Sequence, residues 1–134
     1  MTHVSRKKLS SKNNELFQEA LLTIFTGLER QKVIKTFSTL LTKTEQEMLR
    51  KRAIIMLLLS EGVNKDKIAE FTNTTRQTVS RIKLQLLEIP ASDKSFVISK
   101  LTKWQNLKAL KEAVKKILDV SPRKDILRTL QNLG

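Results

Sequence analysis

The side chains best suited to recognising a ligand in this sequence are the basic, amide and hydroxyl groups between Lys65 and Lys83. Arg and Gln can each make two parallel hydrogen bonds to the edge of a guanine or an adenine in the major groove of DNA. Lys, Ser and Thr side chains, and further Arg side chains, bind phosphate oxygens. The pattern therefore predicts base contacts by Arg76, Gln77 and Thr78. It predicts phosphate contacts by Lys65, Thr75, Ser80, Arg81 and Lys83.

Groups for catalysis or metal binding are scarce. The chain has no Cys and one His, His3, so it offers no thiolate nucleophile, no disulfide and no cluster of Cys or His ligands. It also lacks a Gly-rich phosphate-binding loop, a nucleophile with an adjacent base and a plausible pair of catalytic carboxylates. We therefore expect a protein that is not an enzyme and that requires no metal or cofactor.

The charge of the chain favours a polyanionic partner. Its 134 residues include 26 Lys and Arg against 13 Asp and Glu, which gives a net charge of +13. Such an excess attracts nucleic acid and anionic membrane surfaces. No apolar stretch is long enough to span a bilayer, and the basic N-terminus lacks the apolar segment of a secretory signal. We expect double-stranded DNA as the partner and a cytoplasmic, nucleoid-associated location.

Scarce turn residues and helical spacing of apolar residues predict an all-α fold. Three Gly and two Pro are too few for the many tight turns of a sheet protein. We predict a flexible basic arm over residues 1–13, a helical DNA-binding domain over 14–90 and a basic helical extension over 91–134. The predicted helices cover residues 14–28, with a cap at Asn13 or Asn14, 29–41, 42–61, 64–71, 75–88 and 93–120, with a short final helix after Pro122.

Two of these segments carry further expectations. Residues 16–41 are apolar on more than one side, which a small monomer could not easily cover, so we expect a homodimer. Residues 93–120 form a basic amphipathic stripe in which Trp104 belongs to the apolar side. The lysines of this stripe either face solvent or follow flanking DNA phosphates, and a role at a membrane surface is an alternative.

Residues 64–83 fit a helix-turn-helix with a recognition helix over 75–88. Asn64 and Thr75 stand at the two N-cap positions, where their side chains can accept a backbone N–H. Small Ala69 allows the helices to cross closely, and Asn73 tolerates positive φ in the turn. Val79 and Ile82 are spaced to hold the second helix on the core. Thr72 and Thr74 are more polar than most such motifs allow, and their hydroxyls can bond backbone groups instead.

The chain resembles the Trp repressor superfamily over about residues 41–83. The resemblance lies in three segments. The first runs from Leu41 through the capping box Thr42-Lys43-Thr44-Glu45 to Arg52. The second is the apolar helix ending at Glu61-Gly62, and the third is the helix-turn-helix that ends in Thr78-Val79-Ser80-Arg81. It implies an all-helical, intertwined homodimer whose N-terminal helices cross into the partner.

The same resemblance implies a ligand pocket. Thr42, Arg52 and Arg81 stand where the family holds its tryptophan corepressor. Ile82 stands where the Trp repressor has the Gly that leaves room for the indole, and a branched side chain fills that space. We therefore expect no tryptophan corepressor.

The function predicted from the sequence is sequence-specific DNA binding by a transcriptional regulator, most simply a repressor. An architectural or replication-associated DNA-binding protein with weak sequence preference is one alternative, favoured by the basic termini. A protein-interaction module that works through the Leu-rich helices is another. The first two functions require the face carrying Arg76 and Gln77, whereas the third does not.

Overall fold

Helices follow one another throughout the part of the chain that the structure describes. This computed structural model describes Lys8 and residues 10–120, with side chains as far as Lys116. Within those residues there is no strand, and the predicted all-α class is confirmed. Most of the predicted basic arm and the predicted short helix after Pro122 lie outside the described residues. The helices are α1 (Ser11–Phe25), α2 (Arg30–Leu40), α3 (Lys43–Ser60), α4 (Lys65–Phe71), α5 (Arg76–Leu87), α6 (Ala91–Thr102) and α7 (Leu107–Val120).

The chain divides into two compact units, Met1–Arg50 and Lys51–Gly134, which we call the N-terminal and C-terminal units. In the N-terminal unit, α1 begins where Ser10 Oγ accepts the N–H of Asn13 at 3.2 Å. The predicted cap at Asn13 or Asn14 is therefore wrong by three or four residues, and residues 11–13 belong to the helix rather than to the arm. The hydroxyl of Ser10 comes first along the chain and already caps the first turn.

The helices α1 and α2 form a hairpin with little interior. Gly27, with φ +71°, lies in the turn after α1, where its conformation suits a residue without Cβ. The rings of Phe25 and Phe37 meet with centroids 6.0 Å apart. Neither helix contains a buried residue, although both are rich in Leu, Ile and Phe. The hairpin therefore exposes much of the apolar surface that its sequence carries.

The predicted capping box at the start of α3 is confirmed. Thr42 N donates to Glu45 Oε1 at 2.9 Å, and Glu45 N donates to Thr42 Oγ1 at 3.1 Å. Two hydrogen bonds of Thr42 hold the pKa of Glu45 below its usual 4.5; the backbone N–H has the larger effect and the side chain the smaller. The box is therefore intact at neutral pH and weakens as the pH falls through that lowered pKa.

The core of the C-terminal unit joins four helices. Its buried members come from the second half of α3, from α4 and α5, and from α7: Ile55, Leu58, Ile68, Ala69, Val79, Ile82 and Val114. Gly62 follows α3 with φ +77°, and Val63 N donates back to the carbonyl of Leu58 at 3.0 Å. The helices α4 and α5 thus pack against the apolar run of α3.

The prediction of one helix over residues 93–120 is wrong. The first helix of this region, α6, ends at Thr102, and α7 starts afresh at Leu107 after turns at Trp104. A continuous stripe would have joined Trp104 to the apolar side, but its side chain is 40% exposed. The break instead allows α7 to pack against α4 and to place Val114 in the core. Burial in the tertiary structure overrides the continuous periodicity.

Replacing Val114 tests whether α7 belongs to this core. The change Val114→Ala should lower the free energy of unfolding by about 1–3 kcal/mol, because it removes buried methyl groups and leaves a cavity. The matched change Val97→Ala, at a half-exposed position of α6, should shift it by no more than about 0.5 kcal/mol. Urea unfolding at one fixed protein concentration measures both. Equal destabilisation of the two variants would contradict the placement of α7.

Candidate nucleic-acid interface

The helix α4 is short and well anchored. Asn64 Oδ1 accepts the N–H of Asp66 at 2.7 Å, so the predicted N-cap is confirmed. Ile68 and Ala69 are both buried. Small Ala69 allows another helix to approach α4 closely, as the sequence predicted. The helix is too short to be stable alone, and its position depends on this burial.

The turn between α4 and α5 satisfies its own polar groups. Thr72 is buried, and its Oγ1 donates to the carbonyl of Ile68 at 2.7 Å. The hydroxyls of Thr72 and Thr74 lie 2.9 Å apart, and Thr74 N donates to the carbonyl of Ala69 at 2.9 Å. The two threonines that make this turn unusually polar are therefore accommodated by hydrogen bonds.

Asn73 adopts the left-handed conformation that the sequence predicted, with φ +53°. Among the described non-glycine residues it is the one with positive φ. Its backbone carbonyl accepts a hydrogen bond from Lys51 Nζ at 3.3 Å, which connects the turn to α3. The turn thus has a fixed conformation, and it sets the direction in which α5 leaves α4.

The start of α5 is fixed by a second cap. Thr75 Oγ1 accepts the N–H of Thr78 at 3.1 Å, which confirms the predicted cap. The hydroxyls of Thr75 and Thr78 also lie 3.0 Å apart. Both hydroxyls are thus engaged within the protein, although each was predicted to contact DNA. Val79 and Ile82 are buried, as predicted, so the opposite side of α5 faces away from the core.

The outward face of α5 has two different halves. In the N-terminal half Arg76, Gln77 and Arg81 are exposed, and Ser80 is half-buried. In the C-terminal half Leu84 and Leu87 are exposed, at 64% and 73%, a feature that the sequence did not predict. The helix contains no acidic residue, and Lys83 is exposed beside this face. The structure therefore brings the predicted base-reading side chains Arg76 and Gln77 onto one open, basic surface.

Arg76 is held loosely. Its Nε lies 3.6 Å from Asp66 Oδ1, and its side chain is 68% exposed. An exposed ion pair of this kind contributes little to stability, so the guanidinium can exchange Asp66 for another acceptor at small cost. Lys65 lies next to Asp66 at the start of α4. Lys65 and Arg76 are thus the first residues of α4 and α5, and both are cationic.

The residues predicted to line a ligand pocket have other partners or positions. Thr42 belongs to the capping box, and Arg52 NH1 donates to Gln85 Oε1 at 3.0 Å, which ties α3 to α5. Arg81 lies at the surface, and Ile82 is buried in the core. Thr42 lies in the N-terminal unit, whereas the other three lie in the C-terminal unit. The expectation that the chain binds no tryptophan corepressor stays a prediction.

A groove between α4 and α7 brings two lysines of the predicted basic stripe together with Lys67, to which the sequence assigned no site. Its lining includes Asn64, Lys67, Lys111 and Lys115, together with Glu61. Lys111 Nζ lies 2.9 Å from Glu61 Oε2, which fastens α7 to the turn after α3. The spacing of Lys111 and Lys115 was a usable signal, since residues four apart share one side of a helix. Their proximity to Lys67 depends on tertiary packing.

Comparison of the chain with protein-family models, curated proteins and solved structures finds no match. None of the helices in the described part of the chain combines the length and apolar character that a membrane span requires. Over the same residues, no three His, Asp or Glu side chains come together as a metal site would need. The function must therefore be inferred from the geometry of α4, α5 and their neighbours.

Substitution of Asn73 tests how the turn is fixed. The change Asn73→Val should lower the free energy of unfolding by about 1–2 kcal/mol, because a branched side chain disfavours positive φ. The change Asn73→Gly should leave it within about 0.5 kcal/mol, since Gly adopts this conformation freely. Thermal or urea unfolding of the two variants gives the comparison. Equal stability would mean that the turn does not require this conformation.

Proposed function

We propose that the chain binds double-stranded DNA sequence-specifically as a transcriptional regulator, and that α4, the turn and α5 act as a helix-turn-helix. The observation that carries this proposal is the open, acid-free N-terminal half of α5, which presents Arg76, Gln77 and Arg81 from a helix fixed by a cap and a buried face. In proteins of this class the start of the second helix enters the major groove. With its side chains an α-helix is about 10–12 Å wide, which fits a groove about 12 Å wide.

The proposal gives the predicted residues distinct roles. Arg76 and Gln77 contact base edges, because both are exposed at the first turn of α5. Thr78 is a weaker candidate, since its hydroxyl already lies 3.0 Å from that of Thr75. Arg81, Lys83 and Lys65 contact phosphates, with smaller contributions from Thr75 and Ser80. A rigid helix supports this arrangement, because side chains that are already oriented lose less entropy on binding.

We further propose that the chain acts as a homodimer, as the resemblance to the Trp repressor superfamily implies. Eight large apolar side chains of α1 and α2 are between 36% and 58% exposed: Leu16, Phe17, Leu21, Leu22, Ile24, Phe25, Ile34 and Leu40. Complete burial of these side chains in both protomers of a dimer would contribute on the order of 12–24 kcal/mol of favourable free energy. Association costs about 4–15 kcal/mol, so mutual burial is sufficient to hold a dimer together.

Selection of bound sequences from a random duplex pool at about 150 mM salt tests the DNA-binding proposal. We expect a palindrome whose half-sites lie about 10 base pairs apart, as two-fold symmetry requires. Binding without a consensus would instead favour an architectural DNA-binding protein. An absence of binding would contradict the proposal and favour a protein-interaction module.

Two substitutions separate base reading from phosphate binding. The change Arg76→Ala should cost about 1–3 kcal/mol on the selected site and relax the preference at one base position. The change Lys83→Ala should weaken binding to all duplexes alike and reduce the salt slope by about 1. Fluorescence anisotropy on matched and mismatched duplexes measures both effects. If both variants bound like the unaltered chain, α5 would not be the recognition helix.

The dimer proposal has its own variant and control. The change Phe17→Asp places a charge within the exposed apolar set of α1 and should shift the chain from dimer to monomer at micromolar concentration. The change Gln18→Asp adds the same charge at the next position of α1, which is polar, and should leave the dimer intact. Sedimentation equilibrium distinguishes the two. A monomeric unaltered chain, or equal behaviour of both variants, would contradict the proposal.

A further inference from the structure

The groove between α4 and α7 is basic and structurally supported. Lys67 of α4 and Lys111 and Lys115 of α7 line it, and Glu61 is its acidic member. The carboxylate of Glu61 is already engaged by Lys111 at 2.9 Å. The groove therefore has an excess of positive charge, and Asn64 adds an amide group to its wall. Such a surface suits an anion with several oxygen acceptors.

The lysines of α7 are carried by a fixed helix rather than by a loose tail. Val114 is 5% exposed within the core, and Leu110 packs against the same cluster. The contact between Lys111 and Glu61 adds a polar tie at the same end of the C-terminal unit. Lys115 follows Lys111 by one helical turn and is exposed. Its ammonium group is thus available to a partner.

The first turn of α4 contributes both to the groove and to the contact with the start of α5. Lys67 follows Asp66 in the first turn of α4, and Asp66 Oδ1 lies 3.6 Å from Arg76 Nε at the start of α5. The start of α4 thus takes part in both regions, through Lys67 in the groove and through Asp66 at Arg76. In a helix-turn-helix the first helix crosses the DNA backbone. Cations of α7 that share a groove with α4 would then meet phosphates outside the bases that α5 reads.

We propose that the groove between α4 and α7 binds DNA phosphates that flank the site read by α5, with Lys67 and Lys115 as the principal cations. This inference rests on the proposed function and extends it, since it makes α7 part of the DNA-binding surface. Lysine ammonium groups bind phosphates as point charges and carry no base preference. The groove would then lengthen the bound site and raise its salt dependence without changing its sequence.

The test compares two doubly substituted full-length chains. Lys67→Gln with Lys115→Gln removes the two proposed contacts. Lys103→Gln with Lys116→Gln removes the same charge from two exposed lysines that do not line the groove. Each is titrated onto the selected duplex over a range of salt concentrations. Removal of one phosphate-binding lysine should reduce the slope of log Kd against log salt by about 0.9, so the slope of the first variant should fall by about 1.8 and that of the control should not change.

The outcomes separate this inference from the proposed function. The inference would be overturned if the unaltered chain and both variants had equal slopes, or if the slopes of both variants fell equally. In that case an Arg76→Ala variant with relaxed base preference would still support α5 as the reading helix. No duplex binding by the unaltered chain would overturn both. Circular dichroism checks that the variants are folded. If the double variant is not, the single change Lys115→Gln, at an exposed position, should reduce the slope by about 0.9, and an unchanged slope would again overturn the inference.

Discussion

The burial of α4 and α5 against the apolar run of α3 is the constraint on which the rest of the C-terminal unit depends. Ile55 and Leu58 of α3 meet Ile68 of α4 and Val79 of α5 in one buried cluster. A helix as short as α4 has no stability of its own, so its direction is decided by this contact. The orientation of α5 follows from α4 through the turn at Asn73, whose left-handed conformation fixes the exit direction. Each side chain of α4 and α5 that we assign to DNA is positioned through this sequence of contacts.

Features encoded by neighbouring residues could be predicted from the sequence. The capping box at Thr42, the caps at Asn64 and Thr75 and the positive φ of Asn73 are all confirmed, because each depends on a few adjacent backbone groups. The buried face of α5 was also predictable, since the spacing of Val79 and Ile82 places both on one side of the helix.

Features that depend on distant residues were not predictable in the same way. The break after α6 accompanies the packing of Val114 into a core built by residues distant in sequence, while Trp104 stays 40% exposed. The groove that joins Lys67 to Lys115 follows from that break. The exposure of Leu84 and Leu87 was not predictable, because their spacing alone resembles that of a buried stripe. The contact between the hydroxyls of Thr78 and Thr75 was not predictable either, because it depends on the side-chain geometry of the cap.

The N-terminal half of α5 is the surface that we expect to meet DNA. Backbone amide shifts of the isotope-labelled full chain, recorded with and without a saturating duplex of about 20 base pairs, examine this directly, since that length holds two half-sites one helical turn apart. If α5 is the recognition helix, the largest shifts fall between Arg76 and Arg81, with smaller ones at the start of α4 and none at the buried Ile55. Shifts confined to α1 and α2, or spread evenly with no maximum on α5, would contradict this role.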